Sequence, residues 1–159
     1  MIFVTLGTQK FQFNRLLKMI DELIDEEVIT DCVYAQLGNS DYSPKKFESV
    51  QFLDANNFTN TLENADLIIT HSGVGTILKA VKAGKKVIVI PRLAEFGEHV
   101  DNHQVEIAKS FYELGYVLQG NSKSDLEECI KKIQEFVPKT YIENNKYFVE
   151  KIKQLLDKT

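Results

Sequence analysis

The residues with the most chemical potential lie in three short segments. His71-Ser72-Gly73-Val74-Gly75-Thr76 follows the apolar run Leu67–Ile69 and precedes a stretch with helical spacing. Glycines at such a junction let a ligand come up against the backbone. The helix start beyond them supplies free N–H groups and a partial positive charge, which suits a phosphate. Ser72 and Thr76 add hydroxyl donors. The pattern is not a full G-x-G-x-x-G, because Leu78 stands in the third glycine's place, and no Gly-Lys-Ser/Thr follows to make a P-loop. A tight turn capped by Ser or Thr has the same spacing, so two readings stay open. Gly7-Thr8-Gln9 closes the first apolar run and is either a simple turn or a second wall of the same site.

The third segment, Glu95 to Gln104, is dense in carboxylate, imidazole and amide groups. Such groups accept from and donate to sugar hydroxyls; a solvated loop leading into a helix has the same composition. His99 and His103 are i,i+4 partners if helical. The zincin pattern, however, needs Glu directly after the first His, and Val100 is there. No metal site is expected on that ground.

The elements that must position these segments alternate. Strand-like runs are Ile2–Leu6, Cys32–Leu37, Val50–Leu53, Leu67–Thr70, Val87–Ile90 and Tyr116–Leu118. Helical spacing predicts helices over Phe13–Ile24, Phe58–Asn64, Gly75–Ala83 with Gly84 as C-cap, Asn102–Leu114, Ser124–Phe136 with Ser124 as N-cap, and Tyr141–Leu156. The last of these carries an apolar stripe of Phe148, Val149, Ile152, Leu155 and Leu156. It is expected to pack on the parent sheet, with partner docking as the alternative reading. The alternation predicts a Rossmann-like α/β fold: a parallel sheet of about six strands with helices on both faces. Ligands bind such sheets outside the carboxyl ends of the strands, and the three segments all fall there.

Composition narrows the function. The chain of 159 residues is the size of one domain, and residues 1–159 are read as a single unit. A net charge of -4 with no basic block argues against nucleic acid, because neutralising phosphates needs clustered Lys and Arg. No apolar run approaches the ~20 residues that span a bilayer. The opening MIFVTLG has no basic region or small-residue cleavage site, so no signal peptide is expected. Cys32 and Cys129 form no metal or redox motif and read as two reduced thiols in a cytosolic chain.

Together, Leu67–Thr76, Gly84–Arg92 and Glu95–Gln104 resemble the nucleotide-sugar-binding half of GT-B glycosyltransferases, in the family 28 C-terminal domain group. The likeness runs from Gly7 to about Leu114. It extends to short bacterial capsule and exopolysaccharide transferases and to the catalytic subunit of the two-subunit eukaryotic GlcNAc transferase of the dolichol pathway. The resemblance implies a single GT-B half and roles for matching positions. Ser72, Gly73, Val74, Gly75 and Thr76, with Gly7, Thr8 and Gln9, would hold the diphosphate of a UDP-sugar. Phe52 and Leu53 would border the uracil. Glu98 and His99 would read the hexose, with Asn102 and Gln104 beside the sugar and diphosphate, and Glu95 a substitute contact to the ribose. Many relatives place a carboxylate on the ribose one turn into the helix after the glycines; Lys79 occupies that position here.

The resemblance further implies an inverting hexosyltransferase of polysaccharide biosynthesis with no metal or other cofactor. His71, Glu98 and His99 are the catalytic candidates in this chain, and a base in a partner is the alternative. UDP-galactose and UDP-GlcNAc are the leading donors, galactose being favoured for a capsule-type enzyme. The acceptor would be a lipid-linked sugar held by a membrane-anchored partner subunit, which would recruit this cytoplasmic chain to the membrane's cytoplasmic face. A rival reading is a non-catalytic nucleotide-sugar-binding module that regulates or stabilises a partner.

Overall fold

The computed structural model describes residues 1–142 and 146–157. In order, β1 (Ile2–Thr5), α1 (Asn14–Asp25), β2 (Val33–Gln36), β3 (Glu48–Val50), α2 (Ala55–Asn64) and β4 (Leu67–Thr70) are followed by α3 (Val74–Lys82) and β5 (Lys86–Val89). A 3₁₀ turn at Ala94–Phe96, then α4 (His103–Glu113), β6 (Leu118–Gln119), α5 (Lys123–Lys132) and α6 (Lys146–Asp157) complete the chain. The six strands form one sheet in the order β3-β2-β1-β4-β5-β6, every pairing parallel. The chain therefore winds outward from β1 in one direction and from β4 in the other. This reversal opens a crevice between the carboxyl ends of β1 and β4.

Alternation along the central strands sends side chains to two cores. Ile2, Val4, Leu67, Ile69, Ile88 and Ile90 meet Leu16, Leu17 and Ile20 of α1 and Leu126 and Cys129 of α5. Phe3, Ile68, Val87 and Val89 meet α2 through Leu62, α3 through Ile77 and Ala80, α4 through Ile107 and Phe111, and α6 through Ile152 and Leu155. Strands buried on both faces read as unbroken apolar runs, as Leu67–Ile69 and Val87–Ile90 do.

Several boundaries differ from the periodicity-based expectation, each for a local reason. The third strand is Glu48–Val50, because Gln36 Oε1 accepts from the Leu53 N–H at 2.8 Å and draws Phe52–Leu53 out of strand pairing. Helix α2 starts at Ala55, three residues early, since Asp54 accepts from Asn57 N at 2.8 Å as N-cap. The cap of α5 is Ser122 rather than Ser124. Ala83 is the C-cap of α3, and Gly84 takes the following position at φ +71°. The last strand is Leu118–Gln119. Residues 143–145, in the expected first turns of the last helix, and the side chain of Phe148 lie outside the described residues. Ile152 and Leu155 of its stripe are buried in the chain's own core, while Val149 and Leu156 are exposed. Among the described residues, no helix is long and apolar enough to cross a membrane.

Candidate functional site

The crevice at the carboxyl ends of β1 and β4 is lined by Gly7, Thr8 and Gln9 on one side and by His71 through Thr76 on the other. His103, Gln104, Ile107 and Leu156 close its edge. The diphosphate-binding residues read from the sequence are thus brought together. Helix α3 starts at Val74, and its N-cap Gly73 makes no side-chain hydrogen bond to the first turn. The first-turn N–H groups accordingly face the crevice without a capping acceptor. Ser72 is 1% exposed, and its Oγ has no hydrogen-bond partner among the described residues. Nine-tenths or more of buried polar groups are paired, so an orphan hydroxyl beside a helix N-terminus marks a place for an acceptor. No Asp or Glu is among the described residues lining the crevice, so nothing there opposes an anion.

The three glycines of this site act differently. Gly7 holds φ +76°, and a Cβ there would meet His71 Nε2 at 2.5 Å. A Cβ on Gly73 would meet His71 Cε1 at 2.6 Å. Both leave room for an imidazole buried between the loops. A Cβ on Gly75 would meet nothing within 4 Å, so its smoothness keeps the crevice itself open.

His71 is buried at the floor of the crevice. Burial pushes its pKa down to about 3, and the Arg92 charge acts the same way, while the Gln104 hydrogen bond opposes them. Gln104 Oε1 accepts from Ser72 N at 3.3 Å and Arg92 N at 3.0 Å, so its amide nitrogen faces His71 Nδ1 at 3.4 Å. The amide must donate, which places the imidazole proton on Nε2. His71 is therefore held as the neutral imidazole, with Nδ1 engaged by Gln104 and the proton on Nε2. Gln104 ties the turn after β4 to the loop after β5, with its Oε1 and Nε2 already engaged.

Arg92 and Arg15 carry the rest of the scaffold, and neither was singled out from the sequence. Arg92 is 1% exposed. Its guanidinium donates to the carbonyls of Leu6, Phe11, Gln12 and Glu98, binding the β1 loop to the β5 loop. Burial lowers its pKa to about 10, against the pull of Glu98, so it stays charged. Arg15 of α1 reaches Glu98 by two bonds of 2.9 and 3.0 Å and also donates to Pro91 O and Asn121 O. The only sequence signal was an arginine directly after the strand-ending Pro91.

These contacts turn Glu98, read from the sequence as a hexose-facing or catalytic group, toward Arg15 instead of the crevice. Both its oxygens accept from Arg15, and Oε1 also takes the Leu93 N–H. It is completely buried. Asn102 Oδ1 instead accepts from Ala94 N at 2.8 Å, Glu95 is exposed on the 3₁₀ turn, and neither lines the crevice. Phe52, 48% exposed, and Leu53 lie after β3 and also fall outside it. His99 packs against Phe11 and His103 at ring separations of 5.5 and 4.7 Å. Burial lowers its pKa first, His103 adds to this, and Asp101 opposes it. His103, noted only as an i,i+4 partner of His99, is the imidazole that reaches the crevice edge. Lys79, in the ribose carboxylate's place, sits over the Phe58 ring with Nζ 5.4 Å from its centroid.

Strand order, crevice and glycine turn define a class: a single α/β half of the GT-B architecture, with its crevice at the topological switch point. Over residues 1–158 the chain matches the glycosyltransferase family 28 C-terminal domain, and it belongs to that family. It is 30% identical to the UDP-N-acetylglucosamine transferase subunit ALG13 of Mus musculus over 131 residues, 72% of this chain and 10% of that protein. With ALG13 of Candida glabrata it shares 31% identity over 108 residues, 65% of this chain and 52% of that one. It thus spans from a tenth to about half the length of these relatives. An NMR structure of ALG13 superposes with TM-score 0.64 at 21% identity, covering 93% of this chain and 92% of that one. MurG of Acinetobacter baumannii superposes with TM-score 0.55 at 16% identity, covering 95% and 49%. At these identities the superpositions speak for the fold.

Proposed function

We propose that this chain is the donor-binding subunit of an inverting hexosyltransferase that takes a UDP-sugar and acts with a membrane-anchored partner on a lipid-linked sugar. The observation that carries the reading is the unpartnered, buried Ser72 hydroxyl at the uncapped start of α3. A diphosphate seated there would accept from Ser72 Oγ and from the N–H groups of the first turn. In the reaction the acceptor hydroxyl attacks the anomeric carbon, the bond from that carbon to the phosphate oxygen breaks, and UDP leaves. The charge developing on UDP is met by the same donors, fixed in place before the reaction starts. The acceptor proton needs a base. His71 Nδ1 faces Gln104, Glu98 is bound to Arg15 and His99 does not line the crevice, so we assign the base to the partner's half. UDP-N-acetylglucosamine is the first donor to test, because the relatives' names carry it; UDP-galactose, favoured for a capsule-type enzyme, is the comparison.

The test is calorimetric titration of UDP into the purified chain and its Ser72→Ala variant. Losing one hydrogen bond to a charged phosphate costs about 1.5–3 kcal/mol, roughly a 10- to 150-fold weaker Kd. Equal affinities would remove the diphosphate assignment. The position of Lys79 favours a second reading, a nucleotide-sugar-binding module without turnover. Transfer assayed with the partner present separates the two.

A further inference from the structure

We propose that His99, Asp101 and His103 form a binding site for one divalent transition-metal ion of the Zn²⁺ type at the rim of the crevice. The three residues offer one ligand atom each, and these atoms all lie within 4.8 Å of one another. His99 Nδ1 stands 3.3 Å from Asp101 Oδ1, and His103 Nδ1 touches the same oxygen. An ion bound at about 2.0–2.2 Å to each ligand holds neighbouring ligand atoms roughly 3.3 Å apart in a tetrahedral site. The His99–Asp101 pair already has that separation, and a small outward turn of the exposed Asp101 side chain gives it to His103. The two imidazoles meet edge to face at 69°, so the rings do not stack on one another.

The donor set selects the ion. Two imidazole nitrogens and one carboxylate suit Zn²⁺, Co²⁺ or Ni²⁺, whereas Mg²⁺ and Ca²⁺ prefer all-oxygen shells. The loop that carries the ligands is also tied together in advance. The Phe11 ring packs on His99 at 5.5 Å, and the His103 backbone N–H donates to Asp101 Oδ1 at 3.1 Å. Three protein ligands leave a fourth position open, as in zinc sites that bind water or substrate. His103 also lines the crevice, so the ion would sit at its edge. The zincin pattern could not reveal this site, because the third ligand is Asp101, between the histidines and in a bend rather than on a helix. The inference goes beyond the transferase reading and does not depend on it.

The test uses the whole chain after chelator treatment, in a Cys32→Ser background to remove the exposed thiol. ZnCl₂ is titrated by calorimetry, and Co²⁺ binding is followed by its visible absorption. The expected result is one ion per chain, with Asp101→Asn and His103→Gln each weakening the affinity about tenfold or more while circular dichroism stays unchanged. Should His103→Gln disturb α4, Asp101→Asn decides alone, since an exposed Asn still accepts the backbone bond. If Asp101 only accepts from the His103 backbone, binding will be unsaturable or equally strong in wild type and Asp101→Asn, and either result overturns the site.

Discussion

At the scale of single residues, the glycines around the crevice make opposite predictions. Gly75→Val places its side chain where nothing stands within 4 Å, so the fold should survive while the diphosphate seat is blocked. The expected outcome is an unchanged urea midpoint with UDP affinity at least about tenfold weaker, near 1.4 kcal/mol or more. Titration calorimetry and circular dichroism check it together; unaltered UDP binding would place the ligand elsewhere. His71 makes a pH prediction. Its pKa falls from an ordinary 6.5 to about 3 on folding, because burial disfavours the imidazolium. Between those values the unfolded chain binds a proton that the folded chain does not. The stabilising term is therefore complete above pH 6.5 and is lost as the pH falls toward 3. The slope reaches at most about 1.4 kcal/mol per pH unit. Urea unfolding at pH 7 and pH 5 should show His71→Gln less acid-sensitive than wild type.

Among the elements, the Arg15–Glu98 pair joins α1 to the loop between β5 and α4. Glu98 is enclosed, whereas Arg15 keeps a little solvent contact, with side chains 1% and 18% exposed. Removing one member of a buried pair leaves the other charge without its counter-ion and frees the Leu93 N–H. Glu98→Ala should therefore cost about 3 kcal/mol of stability, the lower end of the range for buried pairs. The measurement is the urea midpoint. Glu98→Gln, which can still hydrogen-bond, should fall between that variant and wild type. If Glu98→Ala unfolds like wild type yet abolishes transfer, the hexose-reading role returns.

For the whole molecule, the crevice is one open wall. The fold supplies a single α/β half, and the ALG13 relatives are named as subunits. A GT-B site closes between two such halves, and the proposed reading expects a partner to supply the other. Co-expression with a membrane-anchored, acceptor-binding protein is expected to move this chain into the membrane fraction and to raise hexose transfer to a lipid-linked sugar well above that of the purified chain. Fractionation and a radiolabelled-donor assay read both effects. Equal transfer without any second protein would show that the chain completes its own site. Ile152 and Leu155 are buried within the chain, so docking through α6 would have to use Val149 and Leu156 instead.

The sequence by itself determined the layers, the parallel sheet and the glycine turn, because periodicity and turn chemistry act over a few residues. Leu67–Ile69 read as a strand buried on both faces, and Ser72–Thr76 as the turn at its carboxyl end. Side-chain partners across the crevice were decided by tertiary structure alone. Glu98 looked available for a sugar because nothing nearby in sequence satisfies a carboxylate; its counter-ion, Arg15, lies 83 positions away. His71 looked like a base because its cage is built from Gly7 and Gln104, which are remote along the chain. Arg92 passed unnoticed for the same reason: the carbonyls of Leu6, Phe11 and Gln12 that hold it converge only when β1 and β5 lie in one sheet. Local spacing fixes which groups a segment carries, and long-range contacts fix which of them remain free to meet a ligand.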